Sequence, residues 1–214
     1  VNTMANMFKD CQALISVKFP NEDNTGNFPK EFNTISVTTF ASMFENCMKL
    51  RSIDLSSFKN PTPTHQTVEN ASSPITFTAA SMFKNCKSLS DVTFSRTKAV
   101  EGSTLDESDT ITYGFDVDSC TSMSAMFQNC SNMRSFDLTY FNAPEVTRMD
   151  SMFNGCTGLT GFNWPKTLNT VKLNNTSSMF YGCYTLSTIN LDALVVNQVT
   201  NMQNMFYNCV TIKT

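Results

Sequence analysis

The sequence predicts a repeat solenoid, in which each repeat contributes a short parallel β-strand and a short helix or helical turn. The first observation is a recurring string, Met-Phe-x-x-Cys-x-x-Leu-x-x-apolar-x-Leu, which begins seven times within the 214 residues, with small variations. The second is its spacing, because the last three steps between copies are 26, 27 and 26 residues. The copies begin at Met7, Met43, Met82, Met126, Met152, Met179 and Met205.

These copies predict a single array over residues 1–214, with seven repeats of about 26 residues and compact repeats in 120–214. Repeats one to three carry extra length at one place each, in loops 20–36, 56–75 and 95–117. Because these loops are rich in Pro, Asn, Thr and Ser, we expect surface turns and no additional core. The chain begins inside a unit and stops before its last strand is complete, so we expect a segment of a longer array.

Local patterns predict the elements of each repeat. Apolar residues at i, i+3 and i+4, as in Met123, Met126 and Phe127, predict a turn or two of helix, with a Thr or Asn as its N-terminal cap. Asn, Asp or Gly precedes the Cys in every copy and tolerates positive φ, so the helix should end there. Alternation after the Cys predicts a strand with Ile53 and Leu55 inward. One unit alone cannot bury the apolar side of its helix and the apolar side of its strand. The strands of neighbouring units should therefore pair in parallel, and the Phe and Cys positions should form ladders.

The Met-x-x-Met-Phe-x-x-Cys string over 123–130, together with apolar-Asp-Leu at Asp54 and Asp137, is similar to the BspA-like leucine-rich repeat surface proteins of bacteria and some protists. The resemblance covers nearly the whole chain apart from the three long loops. It implies a leucine-rich-repeat solenoid exposed outside the cell, with adhesion or partner-binding roles. It supplies no shared catalytic residues.

Composition restricts the partners. Fifteen Lys and Arg face eighteen Asp and Glu, for a net charge of −3, so we expect no nucleic-acid partner. No apolar run is long enough for a membrane span. Abundant uncharged polar residues favour an extracellular or cell-surface location.

Catalytic and metal chemistry have few candidates. The single histidine, His65, lies in a Pro- and Thr-rich loop, and no catalytic triad or phosphate loop is evident, so we expect no enzyme and no cofactor. No Cys-x-x-Cys pair suggests zinc. We expect the eight cysteines to be small buried residues. Disulfides between cysteines of neighbouring repeats are the alternative. The acidic residues of 106–109 indicate solvated loop charge more than a cation site.

Outward strand positions form a polar strip. It either binds a polar ligand, such as a glycan, or consists of short side chains that a crowded sheet tolerates. The aromatic residues Phe28, Phe32, Tyr113 and Phe115 in the long loops could instead form the site or pack back on the array. Asn70 is the candidate N-glycosylation site. The strip residues are Lys18, Asp54, Thr93, Asp137, Asn163 and Asn190.

The favoured function is an extracellular binding or adhesion module that recognises a protein or glycan on another cell or matrix. The alternative is a structural protein whose uncapped ends associate into a fibre or surface layer. A third hypothesis is an intracellular scaffold, which free thiols would support.

Overall fold

The computed structural model describes residues 1–20, 32–59, 75–99, 110–136, 138, 141–166 and 168–213. Ten short strands lie within these ranges. They are β1 (Phe32–Asn33), β2 (Ser52–Asp54), β3 (Phe58–Lys59), β4 (Phe77–Thr78), β5 (Asp91–Thr93), β6 (Ser95–Ala99), β7 (Thr110–Gly114), β8 (Cys120–Ser122), β9 (Gly161–Asn163) and β10 (Thr188–Asn190).

Successive coils of the chain pair in parallel, as the repeat predicts. Strand β2 pairs with β5, β4 with β8, and β9 with β10. A second ladder lies just before each Met-Phe turn, where single bridges join Ser122 to Arg148, Arg148 to Asn175, and Asn175 to Asn201. The chain is therefore a repeat solenoid with short parallel strands.

The predicted helix is wrong: no helix occurs in the residues that the structure describes. Consecutive turns take its place. The Met43 N–H donates to the Phe40 carbonyl and the Cys47 N–H to the Phe44 carbonyl, at 3.1 and 3.0 Å. Other backbone N–H groups of the same turns donate to the next coil instead. The Phe44 N–H, for example, donates to the Met82 carbonyl at 2.8 Å. Bonds between coils replace the i to i−4 bonds that would make a helix.

Positive φ at two places in each coil explains this geometry. The first place is the residue before the Cys, as predicted; Asn46 has a φ of 65° and Gly155 a φ of 72°. The second place, the residue before the Met, was not predicted, because Ser and Ala rarely adopt positive φ. Two such residues four positions apart interrupt any helix between them. The residues of the second place are Asn6, Ser42, Ser81, Ala125, Ser151, Ser178 and Asn204.

The predicted caps also act differently. The hydroxyl of Thr147 donates to the Thr121 carbonyl of the neighbouring coil at 3.1 Å, so it links two coils. The next residue along the chain makes the local contact instead. The Thr39 hydroxyl accepts from the Ala41 N–H at 3.1 Å, and Asn175 Oδ1 accepts from the Ser177 N–H at 3.0 Å.

The core contains a ladder of stacked phenylalanine rings, which the sequence predicts. The ring of Phe127 lies 5.5 Å from Phe83 and 5.9 Å from Phe153, with interplanar angles of 8° and 2°. Phe127 is fully buried. The whole ladder comprises Phe8, Phe44, Phe83, Phe127, Phe153, Phe180 and Phe206.

The insertions differ from the expected surface turns where the structure describes them. Strands β1, β3, β7 and β6 come from the three insertions and form one four-stranded sheet. The rings of Phe58 and Phe115 are buried beside Phe40, at 6.1 and 5.0 Å from its centroid. The insertions therefore add an aromatic cluster to the core. Exposing these rings to water would cost more free energy than exposing the side chains of a polar turn.

Candidate binding surfaces

Four of the residues predicted to form the polar strip lie on strands, in two separate two-stranded sheets. Asp54 lies opposite Thr93 in the β2–β5 pair, and Asn163 lies opposite Asn190 in the β9–β10 pair. Asn163 and Asn190 are exposed, whereas Asp54 and Thr93 are half-buried. Lys18 is exposed in the first coil. Asp137, the remaining residue of the predicted strip, falls outside the described residues.

Two strip residues also stabilise turns. Asp54 Oδ1 accepts from the Ser56 N–H at 2.9 Å, and Asn190 Oδ1 accepts from the Asp192 N–H at 2.7 Å. Asn163 is the exposed neighbour of Asn190 in the same pair. The strip thus combines local turn stabilisation with an accessible polar surface.

The other predicted groups are less informative. Asn70 and Phe28 lie outside the described residues. Phe32 and Phe115 pack on the core cluster, and Tyr113 lies in strand β7. For Phe32 and Phe115, packing back on the array is what the structure shows.

A ladder of side-chain amides runs along the turns that precede the cysteines. Asn46 Nδ2 donates to Asp10 Oδ1 at 2.6 Å, Asn85 Nδ2 donates to Asn46 Oδ1 at 2.7 Å, and Asn129 Nδ2 donates to Asn85 Oδ1 at 2.8 Å. All donors point toward Asp10, so the opposite end of the ladder presents the Oδ1 of Asn129. The Asn129 amide is thus occupied by the ladder, although it lies in a glycosylation sequon.

The ladder stops because the next two rungs are glycines. A Cβ on Gly155 would overlap the Asn129 amide oxygen, and a Cβ on Gly182 would lie 3.8 Å from the ring of Tyr184. A groove of about 630 Å³ includes both glycines in its lining. It is lined by Met48, Asn85, Lys87, Asn129, Ser131, Asn154, Gly155, Thr157, Tyr181, Gly182 and Tyr184.

A second groove of about 430 Å³ adjoins the first, because Lys87 and Ser131 line both. Arg51 lies in the second groove. Sequence reasoning missed both grooves, since Gly155 was interpreted only as a turn residue. The available signal was the residue before the repeated Cys. It is Asn at positions 46, 85 and 129 but Gly at 155 and 182, close to Tyr184 in the sequence.

A family model described as "Mycoplasma protein of unknown function, DUF285" matches residues 1–91 and 80–214. The chain belongs to the DUF285 family. Among solved structures, the leucine-rich repeat protein TpLRR of T. pallidum is 15% identical, with a TM-score of 0.44, over 93% of this chain and 78% of that one. A leucine-rich repeat protein from Bacteroides ovatus is 17% identical, with a TM-score of 0.37, over 98% of this chain and 56% of that one. Comparison with curated proteins gives no match.

The cysteines of this DUF285 chain are structural in their contacts. All eight are free thiols, and six donate S–H to a phenylalanine carbonyl of the preceding coil, as Cys130 does to Phe83 and Cys156 to Phe127, both at 3.1 Å. Burial raises the pKa of Cys156 to about 12 and that of Cys130 well above its usual range. Thiols held protonated in this way are poor nucleophiles and poor metal ligands.

Among the described residues, no cluster of three or more His, Cys, Asp or Glu side chains is placed to hold a metal ion. The described part of this DUF285 chain also contains no helix that could cross a bilayer.

Proposed function

We propose that this chain is a non-enzymatic, extracellular binding module that recognises a protein or glycan on another cell or matrix. The observation that carries the proposal is the pairing of Asn163 with Asn190, two exposed polar side chains in register on β9 and β10. Phe162 beneath this pair is buried in the core. A ligand would therefore meet polar groups whose backbone is already fixed, which lowers the entropy cost of binding.

Repeat architecture supports the same proposal. Proteins that stack short repeats present extended surfaces, and these surfaces commonly serve as binding sites. The resemblance of the Met-Phe-x-x-Cys string to BspA-like leucine-rich repeat proteins adds the cell-surface location and the adhesive role. The buried thiols support the non-enzymatic part, because protonated Cys130 and Cys156 offer no activated nucleophile.

The test is a binding screen of the purified chain against immobilised matrix proteins and glycans. A ligand found in the screen is then measured with the double variant Asn163→Ala/Asn190→Ala. The matched control is Asn197→Ala, an exposed asparagine outside the strands. We expect the double variant to weaken binding at least about tenfold, equivalent to about 1.4 kcal/mol, and the control to bind like the wild type. Wild-type affinity in the double variant as well as in the control would exclude the sheet face as the binding site. Antibody labelling of intact source cells tests the location; labelling only after permeabilisation would contradict it.

A fibre-forming structural role is the second candidate. Its support is that coils join through backbone hydrogen bonds and ladders of like residues, such as Phe180 on Phe206 at 5.6 Å, and two chains could join through the same contacts. Negative-stain electron microscopy over a range of concentrations tests it. Filaments one solenoid wide would favour the fibre, and discrete particles at every concentration would favour the binding module.

A further inference from the structure

We propose that the groove over Gly155 binds an acidic oligosaccharide, a chain of sugar rings that carries carboxylate or sulfate groups. The inference rests on the proposed binding role and specifies its ligand class. It uses the turns around the cysteines, not the sheet strip, so the two sites can be tested separately. Three features of the groove carry it: an amide acceptor, an aromatic wall and a basic end.

The acceptor is the Oδ1 of Asn129, at the open end of the amide ladder. Three Nδ2–H groups in sequence donate toward the carboxylate of Asp10, and such chains polarise one another, so the terminal oxygen is a strong acceptor. Gly155 brings no amide to continue the ladder. Within the part of the chain that the structure describes, no donor reaches this oxygen. The oxygen occupies the position that a Gly155 Cβ would take, and Asn129 lines the groove, so a ligand hydroxyl in the groove can donate to it.

The aromatic wall is formed by Tyr181 and Tyr184. Tyr184 is 48% exposed, and its ring lies over Gly182, where no side chain separates it from the groove. Tyr181 is held in place by stacking on Tyr207, with ring centroids 5.0 Å apart. The C–H face of a sugar ring is weakly positive and packs on the negative face of an aromatic ring. The two tyrosines can therefore flank sugar rings whose hydroxyls reach Asn129.

The basic end lies where the two grooves meet. Lys87 lines both grooves and Arg51 lines the second, and both side chains are exposed. Among the described residues, no carboxylate forms a salt bridge with either. A guanidinium and an ammonium that line one groove can bind carboxylate or sulfate oxygens through charge-assisted hydrogen bonds. The anionic group of the ligand belongs at this end.

The lining favours a saccharide over a peptide. Amides and hydroxyls dominate it, and Met48 is its only aliphatic side chain of any size. Peptide hot spots are aromatic or Arg side chains in fully desolvated pockets, whereas Tyr184 is 48% exposed. Its volume of about 630 Å³ lies within the usual range for ligand sites, about 300–1,000 Å³.

The experiment is calorimetric titration of the chain with a heparin-derived hexasaccharide, and with a neutral maltohexaose of the same length. The decisive variant is Gly155→Asn. Asparagine already occupies this column at positive φ in Asn46, Asn85 and Asn129, so the backbone accepts the substitution. The Asn129 amide must rotate to admit the new Cβ, because its oxygen now occupies that position. We expect Gly155→Asn to weaken heparin binding at least about tenfold, because the new side chain narrows the groove and displaces the acceptor.

Two more variants and a control complete the test. Lys87→Ala and Tyr184→Ala each remove an exposed side chain, so the fold should survive, and we expect each to weaken binding about fivefold or more. Lys166→Ala is the matched control for loss of an exposed lysine outside the grooves and should stay within about twofold of the wild type. Maltohexaose should bind at least about tenfold more weakly than the heparin hexasaccharide.

Several results would overturn the proposal. Absence of heparin binding by the wild type, or wild-type affinity in folded Gly155→Asn, would exclude the groove. Equal binding of maltohexaose would exclude the acidic group, and equal binding of a glutamate hexapeptide would exclude a saccharide-specific site. Loss of heparin binding in Asn163→Ala/Asn190→Ala, with the groove variants unaffected, would place the ligand on the sheet strip. That last result would retain the proposed function and reject only this site.

Discussion

Replacing Phe127 tests the stacked core. The ring is fully buried, stacks on Phe83 at 5.5 Å and on Phe153 at 5.9 Å, and meets Phe136 edge-on at 4.8 Å. Removing a buried phenylalanine typically costs about 3–5 kcal/mol. Because the Phe127 ring stacks on rings of both neighbouring coils, we expect the loss of stability in Phe127→Ala to lie in the upper half of that range. Phe127→Leu keeps most of the apolar area but loses both stacks, at about 0.5–1.5 kcal/mol each, so we expect a loss of about 1–3 kcal/mol.

Urea unfolding measures both losses as shifts in the midpoint at constant slope. The matched control is Phe8→Ala, because Phe8 belongs to the same ladder but is only half-buried and stacks on Phe44 at 5.1 Å. We expect it to cost less than Phe127→Ala. A cost below about 2 kcal/mol for Phe127→Ala, or no cost for Phe127→Leu, would contradict a core held by ring stacking between neighbouring coils.

Three further predictions concern backbone strain, pH and thiol access. Ala125 has a φ of 54°, so Ala125→Gly should stabilise the chain by up to about 1 kcal/mol in the same urea assay; destabilisation would contradict this. Burial, then the charge of Asp116, raises the pKa of Asp118 to about 6, so its protonation stabilises the fold as pH falls through that value. Asp118→Asn should therefore raise the melting temperature at about pH 7.5 and much less at about pH 5. An equal gain at both pH values would show that the charge of Asp118 is not what destabilises the fold. In native protein a thiol reagent should modify exposed Cys11 but not buried Cys130, and rapid modification of Cys130 would contradict its burial.

Much of the architecture follows from the sequence because like residues recur at one period. The Phe127 column, the positive φ at Asn46 and the inward Ile53 each follow from a residue type whose physical preference is strong. Parallel pairing follows from the need of each unit to bury two apolar stripes. These features are local consequences of composition and spacing.

The turn geometry could not be read in the same way. The i, i+3, i+4 pattern at Met123, Met126 and Phe127 fits a helix and a chain of turns equally well. Ala125 at positive φ decides between them, and alanine carries no preference for that conformation. Its N–H donates to Asp150 of the next coil at 2.8 Å, so a contact between distant residues fixes the local backbone. Tertiary hydrogen bonding overrides helix propensity here.

The site was predictable only in part. Exposed Asn163 and Asn190 follow from strand alternation. The groove over Gly155 depends on what the Asn129 side chain does in the neighbouring coil, and the column of amides becomes visible only once the coils are stacked.

Scalar couplings across hydrogen bonds, measured by nuclear magnetic resonance, test the ladder of turns on which this account depends. The Phe127 N–H lies 2.9 Å from the Met152 carbonyl oxygen, and the Asn129 N–H lies 2.7 Å from that of Asn154. We expect couplings within both of these pairs, which join neighbouring coils. A coupling from the Phe127 N–H to the Met123 carbonyl would show a helix instead, and it would remove both the stacked coil and the groove built upon it.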